Sequence, residues 1–249
     1  MPARARTRRL DLLHEDRHIV VADKPAGLLT IPSAPGLGDR EDTMLGRARE
    51  YARHKQGRRA YAGMLHRLDR ETSGALAIAL SREAHERGRE LFREHHFDRR
   101  YLALVHGVPS RPSGTIRARI SAEYRDGRRA AVGARDPGRD AVTHYEVIEA
   151  MGTCALLELT LETGRQHQIR IHLSELGHAV LGDEVYGGDA RPKLPVPRIM
   201  LHAWTLAFPH PVTAAPIAVT APVPSDFRRV LAKAGGTTLS SLSRRSRLI

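Results

Sequence analysis

Leu65-His66-Arg67-Leu68-Asp69-Arg70-Glu71-Thr72-Ser73-Gly74 places one acid between two arginines and ends in a cluster of turn-forming residues. An apolar run follows from Ala75 to Leu80, long enough for a buried strand and too short for a helix. We therefore expect Asp69 on a tight loop at the mouth of a sheet, where the flanking cations favour an ionised carboxylate. Such a carboxylate suits nucleophilic attack or proton abstraction. On this stretch alone, a surface acid neutralised by its arginines is the alternative.

The composition of the 249-residue chain is that of a soluble globular protein, with 41% hydrophobic and 27% charged residues. The sequence contains no apolar run of about 18 residues, as a membrane-spanning helix would need. Its basic N-terminus leads into no apolar signal core. The single cysteine, Cys154, excludes an internal disulfide. We therefore expect a cytoplasmic protein.

The charge balance is strongly basic: 40 Lys and Arg stand against 28 Asp and Glu, a formal net charge of +12. An Arg-rich proteome would explain the ratio of arginine to lysine but not the net excess of cations. Arginine forks suit phosphate oxygens and stack on bases. The charge therefore favours a polyanionic partner, most simply nucleic acid.

The predicted elements are mainly strands, several of them consecutive along the chain. Strands are expected at residues 18–23, 75–80, 99–107, 141–150, 153–162, 200–208 and 216–220. Helices are expected from Asp42 or Thr43 to about residue 54, from Ser81 to about 95, from Arg165 to about 176, and from about Pro224. Because helices do not alternate regularly with strands, this order predicts an α+β fold with a largely antiparallel sheet.

The chain shows no internal linker, so we expect one domain over residues 11–234. Residues 1–10 are predicted to be a disordered basic arm, and residues 235–249 a disordered basic tail. The segment 117–139 is dense in arginine; it is interpreted as a mobile hairpin or loop that reaches the partner, with a solvated surface loop as the alternative.

Metal and nucleotide-cofactor sites find no support in the sequence. The chain has 14 histidines but no His-Glu-x-x-His, and His167 and His172 do not have the usual helical ligand spacing. Phosphate-binding glycine loops and the dinucleotide fingerprint are also missing. The remaining candidates for chemistry are Asp69, Tyr101 and the Arg165–Arg170 segment. Taken alone, Tyr101 is more typical of a core or interface ring, and Arg170 is more typical of a surface or phosphate-binding arginine.

The order and flanks of these candidates resemble the RluA-type family of RNA pseudouridine synthases. The stretch from His66 to Gly74 resembles the family signature His-Arg-Leu-Asp-x-x-Thr-Ser-Gly. Further blocks match in the family's order over about residues 11–230, at residues 20–29, 100–107, 163–172, 181–187 and 201–203. The departures are modest: Ala179 stands where the family often has proline, and the segment 117–139 matches nothing firmly.

The resemblance implies isomerisation of uridine to pseudouridine in structured RNA, either rRNA or tRNA, without metal or organic cofactor. It also implies the pseudouridine synthase fold, a mixed, largely antiparallel sheet with flanking helices and loops around a central RNA-binding cleft. The family's catalytic aspartate maps onto Asp69, its active-site tyrosine onto Tyr101 and its partner arginine onto Arg170. Arg165 is the less favoured alternative for that last role.

The expected contacts to RNA lie around these catalytic positions: His66, Arg67, Arg70, Arg165, His167 and Gln168. We expect a monomer with no obligate protein partner and no membrane association. The main rival function is a non-catalytic RNA-binding or chaperone protein that keeps the scaffold. An intact set of Asp69, Tyr101 and Arg170 speaks against that rival, because binding alone would not require all three.

Overall fold

The computed structural model of the chain describes residues 9–34, 36–37, 41–121, 128–133, 136–188 and 194–238. Their contacts divide the chain into two compact units. Unit 1 comprises Met1–Phe97 and Phe208–Ala221, and unit 2 comprises Asp98–Ala207 and Pro222–Ile249. Within the described ranges there are eleven strands and four helices, and the strand pairs inside each unit are antiparallel. The predicted α+β class is confirmed.

Unit 1 is built around a fully buried central strand. Its elements are β1 (Leu12–Glu15), β2 (Ile19–Lys24), α1 (Met44–Gln56), β3 (Gly63–Met64), β4 (Ser73–Ala79), α2 (Arg82–Arg93) and β11 (Pro216–Thr220). Strand β4 pairs with β2 from Ile19↔Ala79 to Lys24↔Gly74 and also with β3, and all seven of its residues are buried. The apolar run after Gly74 is therefore a core strand, as its pattern predicted.

Unit 2 is an antiparallel sheet with two helices. Its elements are β5 (Asp98–His106), β6 (Ser113–Ser121), β7 (Ala131–Val132), β8 (Gly138–Ala150), β9 (Cys154–Leu161), α3 (Gln168–Glu175), β10 (Leu201–Pro209, whose last two residues belong to unit 1) and α4 (Ser225–Lys233). The strands lie in the order β10-β5-β9-β8-β6-β7. Strand β5 lies between β10 and β9, and its residues 101–105 are buried.

The two helices of unit 1 begin where their capping residues predict. The Thr43 side chain accepts a hydrogen bond from the Gly46 N–H at 3.0 Å, and Ser81 accepts one from the Ala84 N–H at 3.1 Å. Each cap satisfies an amide that the first helical turn leaves without a backbone partner. Of the two caps considered for α1, Thr43 is the one used. Among the described residues, no helix is long and apolar enough to span a bilayer.

Helix α3 begins three residues later than predicted, at Gln168 instead of Arg165. The residue before it, His167, is left-handed with a φ of 58°. The Gln168 side chain explains the delay, because its Oε1 accepts from the Thr163 hydroxyl at 2.7 Å and from the Arg165 N–H at 2.9 Å. These bonds fold residues 163–167 into a turn, so the predicted shared faces of 165 with 169 and 166 with 170 do not form.

The first residues of the predicted basic tail contact β8. The N–H groups of Thr237 and Thr238 and the Thr237 hydroxyl donate to the carboxylate of Glu149 on β8, at 2.8 to 3.1 Å. Of the predicted tail, residues 235–238 are described, and two of them contact β8 in this way. Residues 239–249, and residues 1–8 of the predicted arm, lie outside the described part of the chain.

Candidate active site

Asp69 lies on the loop between β3 and β4, four residues before Ser73, the first residue of β4. The Thr72 N–H donates to the Asp69 carbonyl at 3.1 Å, which closes a four-residue turn. Leu68 before it is buried at 6% exposure, Asp69 is half-buried, and Arg67 and Arg70 are exposed. The expected tight loop with its flanking arginines is confirmed.

The buried hydroxyl of Thr30 fixes the chain immediately before Asp69. Thr30 Oγ1 donates to the Leu68 carbonyl at 2.7 Å and accepts from the Leu68 N–H at 3.2 Å. The Thr30 carbonyl in turn accepts from the Leu45 N–H in the first turn of α1 at 3.0 Å. Because one hydroxyl binds both polar groups of Leu68, the peptide that enters Asp69 has one orientation.

The buried ammonium of Lys24 fixes the chain after Asp69. Lys24 closes β2 and is fully buried; its Nζ donates to the carbonyls of Pro25, Leu28 and Arg70 at 2.9, 2.6 and 2.9 Å. The Arg70 carbonyl also accepts from the Gly27 N–H at 2.8 Å. A buried lysine is rare unless its charge is compensated, and here carbonyl dipoles do so. No pattern in the sequence indicates this function of Lys24.

His66 packs inside unit 1. Its ring is only 7% exposed and stacks on the Phe92 ring with centroids 5.8 Å apart, and its Nε2 accepts from the Ala77 N–H at 3.1 Å. The predicted RNA contact of His66 would require the ring to leave this packing. Arg67 and Arg70 are exposed, and Arg70 Nε donates to the Gly27 carbonyl at 3.1 Å.

Tyr101 lies near the middle of β5, which pairs with β10 on one side and β9 on the other. It is 7% exposed and stands opposite Leu159 on β9 and Ala203 on β10. Arg99 is two residues earlier, on the same face of the strand, and is 5% exposed. Burial lowers the pKa of the Arg99 guanidinium, and the Tyr101 oxygen partly offsets this effect. Tyr101 therefore occupies a rigid position beside a desolvated cation.

Arg170 is buried on α3 and forms a two-pronged ion pair. Its Nε donates to Asp183 Oδ2 at 2.6 Å and its Nη2 donates to Oδ1 at 2.9 Å. The two side chains are 6% and 0% exposed. Bidentate pairs of this kind fix both the position and the plane of the guanidinium. The sequence analysis missed Asp183, although it lies in the matched block 181–187.

Gln168 and its neighbours shape the turn that leads into α3. Gln168 is 2% exposed; besides the two bonds that Oε1 accepts, its Nε2 donates to the Val142 carbonyl and to the Thr143 hydroxyl. The oxygen and the nitrogen of the Gln168 side-chain amide therefore both bind groups of unit 2. The predicted contact of Gln168 with RNA would have to break one of these bonds. The His167 ring lies 2.9 Å from the Tyr186 hydroxyl, and Arg165 Nε donates to the Asp140 carbonyl at 3.0 Å.

The predicted site residues thus fall into two groups. Asp69 with His66, Arg67 and Arg70 belongs to unit 1, and Tyr101 and Arg170 with Arg165, His167 and Gln168 belong to unit 2. The described ranges contain no group of three or more His, Cys, Asp or Glu residues that could hold a metal ion. Asp69, Tyr101 and Arg170 supply a carboxylate, a phenol and a guanidinium group.

Comparison with known proteins identifies relatives of the whole core. The profile of the RNA pseudouridylate synthase family matches residues 18–175. The chain is 40% identical over 235 residues to ribosomal large subunit pseudouridine synthase D of Xanthomonas campestris, covering 89% of this chain and 68% of that protein. It is 37% identical over 226 residues to an uncharacterised RNA pseudouridine synthase of Mycobacterium bovis, covering 89% and 72%.

Solved structures of RNA pseudouridylate synthases are also similar to this chain. Human RNA pseudouridylate synthase domain containing 4 superposes with a TM-score of 0.75 at 26% identity, covering 90% of this chain and 92% of that one. Human RNA pseudouridylate synthase domain containing 1 superposes with a TM-score of 0.71, also at 26% identity, covering 100% and 98%.

Proposed function

Because the chain belongs to the RluA-type family of RNA pseudouridine synthases and is an isomerase, we propose that it modifies uridines of large-subunit ribosomal RNA through Asp69. The choice of RNA rests on relatives such as those of Xanthomonas campestris and Xylella fastidiosa, whose names specify the ribosomal large subunit. Transfer RNA is the alternative substrate.

One observation supports the proposed role of Asp69: buried side chains bind the backbone of the residues on either side of Asp69. Thr30 binds both polar groups of Leu68, and Lys24 binds the Arg70 carbonyl. A surface acid that is merely neutralised by arginines would not need two buried polar groups to fix its main chain. A nucleophile or base does need a fixed position, because misplacement of the reacting atom by about 1 Å costs about 10²-fold in rate.

The reaction exchanges one bond to the ribose for another. An ionised Asp69 attacks C1′, or removes a proton to start glycal formation, and the N1–C1′ bond breaks. Uracil leaves as a delocalised anion and turns so that C5 bonds to C1′. This step displaces the Asp69 carboxylate from C1′ or, on the glycal path, returns to the ribose the proton that Asp69 removed. The C5 proton is then lost and N1 gains a proton, which balances the isomerisation. The target uridine must leave its base stack before Asp69 can reach the ribose.

Tyr101 and Arg170 complete the proposed set of catalytic residues. Tyr101 stacks on the base or helps to remove the C5 proton, and Tyr101→Phe separates the two roles because it keeps the ring. A loss of about 10²-fold in kcat would assign the hydroxyl to proton transfer, and a rate within severalfold of wild type would assign the ring to stacking. Arg170 is proposed as the arginine partner of the catalytic aspartate.

The proposed contacts to the RNA backbone are the side chains that the structure leaves accessible. Arg67 and Arg70 are exposed beside Asp69, and Arg165 and His167 are half-buried before α3. Because these contacts neutralise phosphates and release counterions, affinity for RNA should fall steeply with salt. His66 and Gln168 are buried and are not among the proposed contacts.

Mapping of pseudouridines in cells tests the substrate. A strain that lacks the gene should lose pseudouridine at one or more positions of large-subunit rRNA relative to its parent. The wild-type gene should restore these positions and an Asp69→Asn gene should not. Asp42→Asn is the matched control, because it removes the exposed carboxylate that pairs with Arg47, and it should restore them.

Two outcomes would contradict this assignment. Losses confined to tRNA would overturn the proposed substrate while they leave the reaction intact. Restoration by the Asp69→Asn gene would overturn the proposed mechanism.

A further inference from the structure

Two residues of the loop that follows α3 hold the Arg170 guanidinium, one at its edge and one on its face. On the edge, Asp183 binds Nε and Nη2 with its two oxygens. On the face, the Tyr186 ring lies 4.9 Å from the guanidinium carbon, a distance typical of a cation–π contact. We call Asp183 and Tyr186 the arginine cradle.

Tyr186 is itself fixed at three points. Its hydroxyl contacts the His167 ring nitrogen Nδ1 at 2.9 Å and accepts from the Arg129 N–H at 3.2 Å. Its carbonyl accepts from the Ser174 hydroxyl on α3 at 2.7 Å. The ring is 7% exposed. The aromatic surface under Arg170 therefore has little freedom to turn away.

Asp183 is fixed by the backbone of its own loop. Its Oδ1 accepts from the N–H groups of Val185 and Tyr186, both at 3.0 Å, in addition to Arg170. Two glycines make the loop this tight. A Cβ on Gly182, whose φ is +79°, would lie 2.1 Å from the Arg198 carbonyl oxygen, and one on Gly187 would lie 2.2 Å from the Asp183 carbonyl oxygen. The conformation of the loop is thus built for the orientation of this carboxylate.

We propose that Asp183 and Tyr186 are positioning residues for the isomerisation, because they set the plane and the depth of the Arg170 guanidinium. They act through Arg170, and this inference rests on the function proposed above for that arginine. A guanidinium held on one edge and one face has a single orientation of its plane. Lysine could not replace it, since an ammonium has no planar fork.

Asp183→Asn is the main test, because it keeps the shape of the side chain and removes its charge. We expect kcat on an rRNA fragment to fall about 10²-fold, as for a misplaced catalytic group, with KM within about twofold of wild type. Tyr186→Leu removes the ring without leaving an unpaired buried charge and should lower kcat about fivefold. It carries the test if Asp183→Asn does not fold.

The matched control is a second arginine fork of the same geometry in unit 2. Arg198 donates to Asp226 through Nε at 2.7 Å and through Nη2 at 3.0 Å, and it takes no part in the proposed chemistry. Asp226→Asn should lower the melting temperature and leave kcat unchanged. A fall in kcat equal to that of Asp183→Asn would overturn the proposal, because general destabilisation would then explain both.

A double mutant tests whether Asp183 acts through Arg170. In an Arg170→Lys background, Asp183→Asn should add little to the loss of kcat, since the fork is already gone. Losses that multiply would overturn the proposal. So would an Asp183→Asn variant that loses RNA affinity and rate equally.

A spectroscopic readout separates this inference from the proposed function. The Arg170 Nε–H resonance should be protected from solvent exchange in the wild type and should lose that protection in Asp183→Asn. A wild type that shows no turnover but keeps the protected resonance would overturn the proposed function and leave the cradle in place. An unprotected resonance in an active wild type would overturn the cradle alone.

Discussion

Asp69 in unit 1 and Arg170 in unit 2 are held in place by different means. Asp69 lies on a loop, and Arg170 lies on α3. Asp69 is fixed through its main chain: Thr30 and Lys24 bind the polar backbone groups of Leu68 and Arg70. Arg170 is fixed through its side chain, by the Asp183 fork and the Tyr186 ring. The acid is half-buried and the arginine is 5% exposed.

This difference follows from what each group is proposed to do. A carboxylate that forms and breaks a bond to C1′ must present an oxygen to the substrate, and the backbone contacts of Leu68 and Arg70 orient the turn that presents it. A guanidinium that acts by charge and orientation keeps its full charge while several of its N–H groups are bound. Fixing its side chain therefore costs it nothing in function. We make three predictions for substitutions in unit 1, at Lys24 and Thr30, which hold the Asp69 loop, and at Asp23, the neighbour of Lys24.

Lys24→Met should have the largest effect. The variant keeps an unbranched side chain but removes the buried ammonium that donates to three carbonyls, of which that of Arg70 keeps another donor, the Gly27 N–H. We expect a loss of about 3–5 kcal/mol in the free energy of unfolding and a melting temperature about 10 °C lower. Activity at a temperature where the variant is folded should also fall, because the Arg70 side of the turn is released. Thermal unfolding and single-turnover rates measure both effects.

Lys55→Met is the control for this prediction. Lys55 is half-exposed on α1 and pairs with Glu15 at 3.0 Å. An exposed pair of this kind contributes about 1 kcal/mol or less, so stability and rate should change little. If Lys24→Met behaved like Lys55→Met, the Asp69 loop would not depend on its backbone contacts.

Thr30→Val should have an intermediate effect and sharpens the comparison. The substitution keeps the volume and removes the hydroxyl that binds both polar groups of Leu68. We expect a loss of about 1–2 kcal/mol in stability and a fall of about tenfold in kcat, with KM little changed, because the turn still forms but is less well oriented. Steady-state kinetics with an rRNA fragment measure the split. Thr115→Val, at an exposed threonine, is the control; equal effects of the two would contradict the account.

Asp23→Asn should have the smallest effect, and it depends on pH. Burial and then the charge of Asp11 raise the pKa of Asp23 to about 6, while Lys24 opposes the shift. A raised pKa means that the folded state holds the proton more tightly than the unfolded chain. Stability is therefore lost as the pH rises from about 4 through 6. The asparagine amide of the variant carries no charge, so the cost of the buried carboxylate disappears. We expect the variant to be more stable than the wild type by about 1 kcal/mol at pH 8 and equally stable at pH 4.

Melting curves at the two pH values test this prediction. Asp140→Asn, at a side chain that is 87% exposed, should show no gain at either pH. A gain for Asp23→Asn that is the same at pH 4 and pH 8 would show that the buried charge is not its cause.

Local patterns in the sequence predict most of the fold. The apolar runs that form β4, β5 and β9 and the caps Thr43 and Ser81 are visible in single stretches of the chain. The late start of α3 is not, because it depends on bonds of the Gln168 side chain to Thr163 and Arg165 that no spacing of apolar or capping residues indicates. The same side chain is also held by residues 142 and 143 on β8. Lys24 and Asp183 were missed for a related reason. Their charges are compensated by groups far apart in sequence or by a tight loop, and neither leaves a pattern of spacing.

Tritium release from RNA labelled at C5 of uridine tests the role of Asp69 most directly, because the C5 proton leaves only when C5 bonds to the ribose. The account predicts that the wild-type protein and Asp42→Asn release tritium at equal rates. Asp69→Asn should release it at least about 10³-fold more slowly while it keeps its fold and its affinity for RNA. Release by Asp69→Asn at the wild-type rate would contradict the account.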